Sequence, residues 1–183
     1  TFPEERLEVV RELTFSALEA QRSAPDALAR RVLLRELFRE HPYGKQTTET
    51  TISSIDREGL IAHHARWYRP GSALFVVAGD IAADDAVARL ERAFSGWARG
   101  TAPASARGVP RPIGGGVVLV HKPGSVQAEV RIGHLLPPAD AEAWPALTLA
   151  RHLLGSTPDG ALHRRLREEL GFTYAASATL DRW

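Results

Sequence analysis

A chain of 183 residues, 44% hydrophobic and 25% charged, has an ordinary globular composition and enough length to bury a sizeable core as one large domain or two small ones. A net charge of +1 gives no global electrostatic reason to expect nucleic acid or an anionic membrane surface as partner. The absence of cysteine excludes a disulfide framework, a thiolate nucleophile and a cysteine zinc site, and no apolar run reaches the roughly 18 residues of a membrane span.

The basic residues are arginines apart from Lys45 and Lys122, a compositional habit and not a binding signal. The chain starts at Thr1 and contains no methionine, so it is read as a processed or excised segment, with any upstream targeting sequence out of view.

In chain order, residues 4–21 predict a first helix, with Pro3 near its start and Glu4 and Glu5 in the first turn, where acids suit the helix dipole. A second helix is expected from a capping-box-like start at Ser23-Ala-Pro-Asp26, ending at "HPYGKQ", because Pro42 disfavours helix before it and Gly44 favours a turn. A short helical turn in "TETTISSI" and a third helix capped by Asp56 follow, stopping at Pro70-Gly71.

"ALFVVAG" (73–79) reads as a buried strand, and "DDAVARLERAFSGW" as an amphipathic helix. Residues 98–116 form a Pro/Gly/Ala connection without periodicity. "VVLVHKPG" and "VQAEVRIGHLLP" read as two strands around a Pro-Gly-Ser turn, the second alternating Val126, Ala128, Val130 and Ile132 against Gln127, Glu129 and Arg131. Two helices follow, in "EAWPALTLARHLLG", which Pro145 would start or kink, and in "GALHRRLREELG". A last strand, "TYAASATLDRW", looks cut short. This order predicts an α+β fold, with helices packed on one face of a largely antiparallel sheet.

The seven histidines form no HExxH, HxxEH or HxxxH pair, and the adjacent His63 and His64 would point about 100° apart on a helix. Surface or half-buried imidazoles account for them. The serines sit in no GxSxG elbow, and the glycines at 114–116 precede a strand-like stretch where a phosphate loop needs a helix. "RRLRE" (164–168) is a basic patch that a solvated helix face would also explain.

Three stretches, "FPEERLE", "HPYGKQTTETTISSIDREGLIAHHARWYRPGSALFVVAGDI" and "LHRRLREELGFTYAASA", together resemble the pitrilysin/insulinase family of zinc metallopeptidases, nearest the bacterial processing-peptidase-like branch. The resemblance covers nearly the whole chain in order and spacing. It implies the metallohydrolase fold of that family. Residues 1–70 would be the helical end of an N-terminal part. Residues 71–183 would be a C-terminal peptidase-like domain holding an αβ unit, the linker 98–116, a hairpin, two helices and the last strand.

In active members an upstream HxxEH motif supplies two histidine ligands and a general base. A third ligand, a glutamate, lies on the helix matching 4–21, and a supporting glutamate lies seven residues before it. Seven residues is two turns less about 20°, so both carboxylates face one way. Here Ala17 falls at the ligand position and Val10 at the supporting one, and neither can bind zinc. Leu7, Val10, Thr14 and Ala17 are instead expected to make a packing face. A two-residue slip would place Glu19 and Glu12 there, as the competing alignment.

The resemblance also implies a substrate-binding pair, an arginine and a tyrosine seven residues apart, matched by Arg167 and Tyr174, with Arg165 as the alternative arginine. Arginine can hold a peptide carbonyl and a tyrosine hydroxyl can stabilise an oxyanion. A surface ion pair for Arg167 and a sheet-face aromatic for Tyr174 are the structural alternatives.

The reading implied is a non-catalytic domain or subunit that binds no zinc itself and pairs, as in a heterodimer, with an active zinc-bearing pitrilysin-type subunit or domain around a peptide substrate. The alternatives are a fragment of an active metalloendopeptidase with HxxEH upstream, and a purely structural or interaction homologue. No nucleic-acid partner and no membrane span are expected, and bacterial cytoplasm and periplasm both stay open as locations.

Overall fold

The structure is a computed structural model, and it describes residues 2–104, 108–111, 114–136, 142–157 and 159–181. The chain divides into two compact units, Thr1–His134 and Leu135–Trp183.

In the first unit, α1 (Glu4–Ser23) starts after Pro3, which is extended and donates no side-chain cap; Glu4 and Glu5 face the positive end of the dipole and Arg22 the negative end. Leu18 is 3% exposed, and Leu7, Arg11, Thr14 and Phe15 are half-buried on the same side. That side packs against α2 (Pro25–Phe38) and α3 (Glu49–Ser53).

The α2 helix begins with Pro25 in its first turn and Ala24 at the cap, without any side-chain cap bond, so the capping-box start expected at Ser23 does not form. Pro25 favours the start by another route: its φ is already helical and its missing N–H removes one orphan donor of the first turn. The α3 helix is held by a capping box between Thr48 and Thr51, and α4 (Arg57–Trp67) by the Asp56 carboxylate, which accepts from the Gly59 amide at 2.7 Å. Arg57 Nε donates to the Phe2 carbonyl at 2.7 Å and ties α4 to the start of the chain. The helix α5 is Ala83–Ala93. The buried apolar side chains among the described residues are Leu18, Phe38 and Ile52, one each from α1, α2 and α3.

In the second unit, α6 (Ala143–Gly155) carries Pro145 in its first turn. The helix α7 (Ala161–His163) continues as a wider π-helix, Arg164–Glu169. The Ala178 amide donates to the Gly155 carbonyl at 2.9 Å, closing the returning chain onto the end of α6.

The expected sheet is the main correction. Among the described residues no strand forms, so the α+β arrangement with helices on one face of an antiparallel sheet does not hold; helices pack on helices instead. The stretches 73–79, 117–120, 126–134 and 173–181 run without ladder partners. Apolar residues of the first three face solvent: Leu74 is 87% exposed, Val117 98% and Ile132 93%. In the last, Ala176, Ala178 and Leu180 are half-buried. Alternation and β-branching mark a segment suited to a pleated, half-buried surface, but pairing requires a neighbouring segment ~4.8 Å away, which local pattern cannot supply. Parts of the 98–116 connection (105–107, 112 and 113), Pro137 in the second strand-like stretch, and 182–183 of the last lie outside the described residues.

Candidate functional site

The opening helix was the expected wall of a metal site. Val10 is 58% exposed and Ala17 is exposed too, on the flank of α1 about 80–100° around from Leu18. They are therefore not part of the packed face, which is Leu7, Arg11, Thr14, Phe15 and Leu18; the apolar residues on both sides of α1 hid which side meets α2. Neither Val10 nor Ala17 carries a lone pair for a cation.

The competing carboxylates fare no better. Glu19 lies 3.7 Å from the Arg22 guanidinium, which also donates to Glu49 at 2.5 Å, so an arginine already occupies the charge a metal would seek. Glu12 is exposed on α1. Among the described residues, no group of three or more histidines and carboxylates is placed to hold a metal. The donor set does not fit zinc.

The π-helix brings the other predicted residues together. Two of its carbonyls are reached late, from the Leu170 amide to Arg165 at 3.2 Å and from the Phe172 amide to Leu166 at 2.9 Å, while the Gly171 amide donates to Arg167 at the ordinary four-residue spacing, 3.1 Å. Gly171 then turns the chain at φ +63°, a left-handed conformation in which glycine carries no Cβ penalty. This reversal folds residues 172–174 back along the helix end. The Arg167 guanidinium carbon lies 4.4 Å from the Tyr174 ring centroid, a cation–π contact.

Tyr174 is 81% exposed and its ring is held from one side by that arginine. Arg167 Nη1 is 3.2 Å from His163 Nε2, a contact in which the guanidinium can only donate. No carboxylate pairs with Arg167 among the described residues, whereas Arg165 is tied to Glu169. The seven-residue spacing thus yields one exposed Arg–Tyr pair, and the alternative arginine is already neutralised by its own helix.

Sequence reasoning missed His163 as the residue that steadies Arg167. The signal was its position four residues earlier, since such neighbours share a helix face. The π-turn left no local signal beyond Gly171.

With this geometry in view, comparison with known proteins decides the family. Residues 54–182, well over half the chain, match the profile of the peptidase M16 inactive domain. The chain belongs to the peptidase M16 inactive domain family. It is 28% identical over 179 residues to an uncharacterized zinc protease of Mycobacterium leprae, covering 96% of this chain and 40% of that protein. It is 26% identical to an uncharacterized zinc protease of Mycobacterium tuberculosis, covering 96% of this chain and 41% of that one. The chain therefore spans about two fifths of the length of these relatives.

Among solved structures it is similar in fold to a peptidase M16 inactive domain from Pseudomonas fluorescens, with a TM-score of 0.72 at 24% identity, over 96% of this chain and 43% of that one. The family is the one the resemblance implied, in its inactive-domain form. Arg167 and Tyr174 fall inside the span that matches the M16 profile, and α1 with Val10 and Ala17 falls before it. No helix among the described residues is long and apolar enough to cross a membrane.

Proposed function

We propose that this M16 inactive domain pairs with an active, zinc-bearing M16 peptidase domain or subunit and contributes Arg167 and Tyr174 to the binding of its peptide substrate. The observation that carries the reading is the exposed pair itself. Arg167 lies 4.4 Å over the Tyr174 ring, is steadied by His163 and is not paired to an acid among the described residues. An exposed cation–π contact is worth only ~0.5–1 kcal/mol, so it orients the guanidinium without consuming its donors.

A peptide carbonyl accepts from the guanidinium's free N–H groups, and the Tyr174 hydroxyl donates to the oxygen that gains charge as the peptide bond is attacked. A zinc ion held by the active partner would supply the Lewis acid and the activated water. The M. leprae relative is named a zinc protease, and this chain covers 40% of its length, which supports an active domain on the same polypeptide.

The test is steady-state cleavage of a peptide by the assembled peptidase. Tyr174→Phe should lower kcat about a hundredfold, the scale for losing one oxyanion donor, with assembly unchanged. Arg167→Met should raise KM more than it lowers kcat. Unaltered kinetics in both variants, with the assembly intact, would remove the pair from the mechanism.

A further inference from the structure

The first unit carries a second concave surface that the reading above does not use. It is a pocket of about 520 Å³ at the C-terminal end of α4, lined by His63, Trp67, Tyr68, Arg69, Ser72 and Trp97 among others. Its wall is built by three hydrogen bonds between the turn after α4 and the segment after α5. The Trp97 indole donates to the Tyr68 carbonyl at 3.2 Å, the Gly71 amide to the Gly100 carbonyl at 2.9 Å, and the Ala102 amide to the Ser72 hydroxyl at 2.8 Å. Gly71 permits this approach: a Cβ there would sit 2.6 Å from the Thr101 hydroxyl and 2.7 Å from the Gly100 carbonyl oxygen.

Charge decides what such a pocket takes. Three aromatic rings alone would suit a cation. Among the described residues no carboxylate lines this one, whereas Arg69 does and makes no ion pair. Arg66, outside the lining, places its guanidinium carbon 5.3 Å from the Trp67 ring centroid. The C-terminus of α4 opposes these with only about half a negative charge. The balance favours an anion, and the indoles favour one with a flat ring.

We propose that this pocket binds an aromatic carboxylate, its ring against Trp67 and Trp97 and its carboxylate on the Arg69 guanidinium, which matches that group's two-oxygen geometry. A free small acid and the C-terminal aromatic residue of a peptide share this chemistry. The site lies in the Thr1–His134 unit and does not depend on the role given to Arg167 and Tyr174.

The test follows the indole N–H resonances of the ¹⁵N-labelled protein. Four probes are titrated: indole-3-acetate, indole-3-acetamide, and a short peptide ending in phenylalanine with a free or an amidated C-terminus. A free acid should shift the Trp67 and Trp97 signals with a Kd of about a millimolar, the scale for a ligand so small, and its amide should bind at least ~10-fold more weakly. Arg69→Met should cost the acid a similar ~10-fold, and Arg69→Lys should restore part of it. Tighter binding of the free-acid peptide identifies a peptide C-terminus as the source, and tighter binding of indole-3-acetate a small acid. Equal binding of acid and amide to the unsubstituted protein would overturn the proposal whatever the variants do. So would the absence of any shift at Trp67 and Trp97.

Discussion

Replacing Gly44 with alanine adds one methyl group at the tightest backbone approach in the first unit. The 3₁₀ turn Pro42–Gly44 folds back over the end of α2, where Arg39 takes φ +42°. A Cβ on Gly44 would lie 2.4 Å from the Arg39 carbonyl oxygen, 2.8 Å from its nitrogen and 2.9 Å from the Phe38 carbonyl carbon. All three are backbone atoms of a helix end whose next side chain, Phe38, is buried, so none can swing aside as a side-chain tip would. Overpacking of this kind costs ~1–3 kcal/mol, and a rigid neighbour puts the expected loss near the upper end, about 3 kcal/mol.

At roughly 2–4 °C per kcal/mol for a chain of this size, the melting temperature should fall by about 6–12 °C. Gly96→Ala is the internal control, because nothing lies within 4 Å of its added Cβ and its backbone is compatible with alanine. It should be neutral or stabilise by ~0.4–1 kcal/mol through the unfolded chain. Urea unfolding followed by tryptophan fluorescence and thermal melts by circular dichroism read both variants. If Gly44→Ala falls within about 0.5 kcal/mol of Gly96→Ala, the folding of the HPYG turn over α2 is wrong.

Three further outcomes are expected. Gly171→Ala, at φ +63°, should cost ~1–2 kcal/mol in urea unfolding and also weaken peptide binding by displacing Tyr174 from Arg167, while asparagine, which tolerates this conformation, should do less harm. Arg165→Gln removes an exposed pair with Glu169 and should change stability by no more than ~0.5 kcal/mol and peptide KM not at all; a raised KM would make Arg165 the working arginine. Asp159 is held below its ordinary value of 3.8, first by the Thr157 hydroxyl and then by its own backbone amide. A depressed carboxylate contributes stability above its ordinary pKa and loses it as pH falls through the lower folded value. Thr157→Val should therefore raise the Asp159 pKa toward 3.8 in a carbon-detected NMR titration and start that loss at higher pH.

Signals carried by neighbouring residues were the legible ones. Asp56 placed a helix start because capping acts within one turn, whereas the start expected as a capping box at Ser23 is made by Pro25 instead. The HPYG punctuation ended α2 for the same reason, and the seven-residue spacing of Arg167 and Tyr174 survived as a real juxtaposition. The strand expectations failed because a ladder is a partnership, and Val117, Val126 and Ile132 show their alternation to solvent. The facing of α1 misled because both of its sides are apolar: Val10 and Leu13 repeat as regularly as Leu7 and Leu18 do, and only the position of α2 separates them. The π-turn after His163 was illegible because its extra residue alters hydrogen bonding without changing side-chain pattern.

The most direct test of the peptide-handling role places a photoreactive benzoylphenylalanine at position 174 of the assembled peptidase and irradiates it with a labelled peptide substrate. The expected result is a cross-link between position 174 and the peptide that unlabelled substrate competes away, and that a probe at the exposed Val109 does not reproduce. An intact assembly that cleaves peptide yet gives no competed cross-link at 174 would contradict the account.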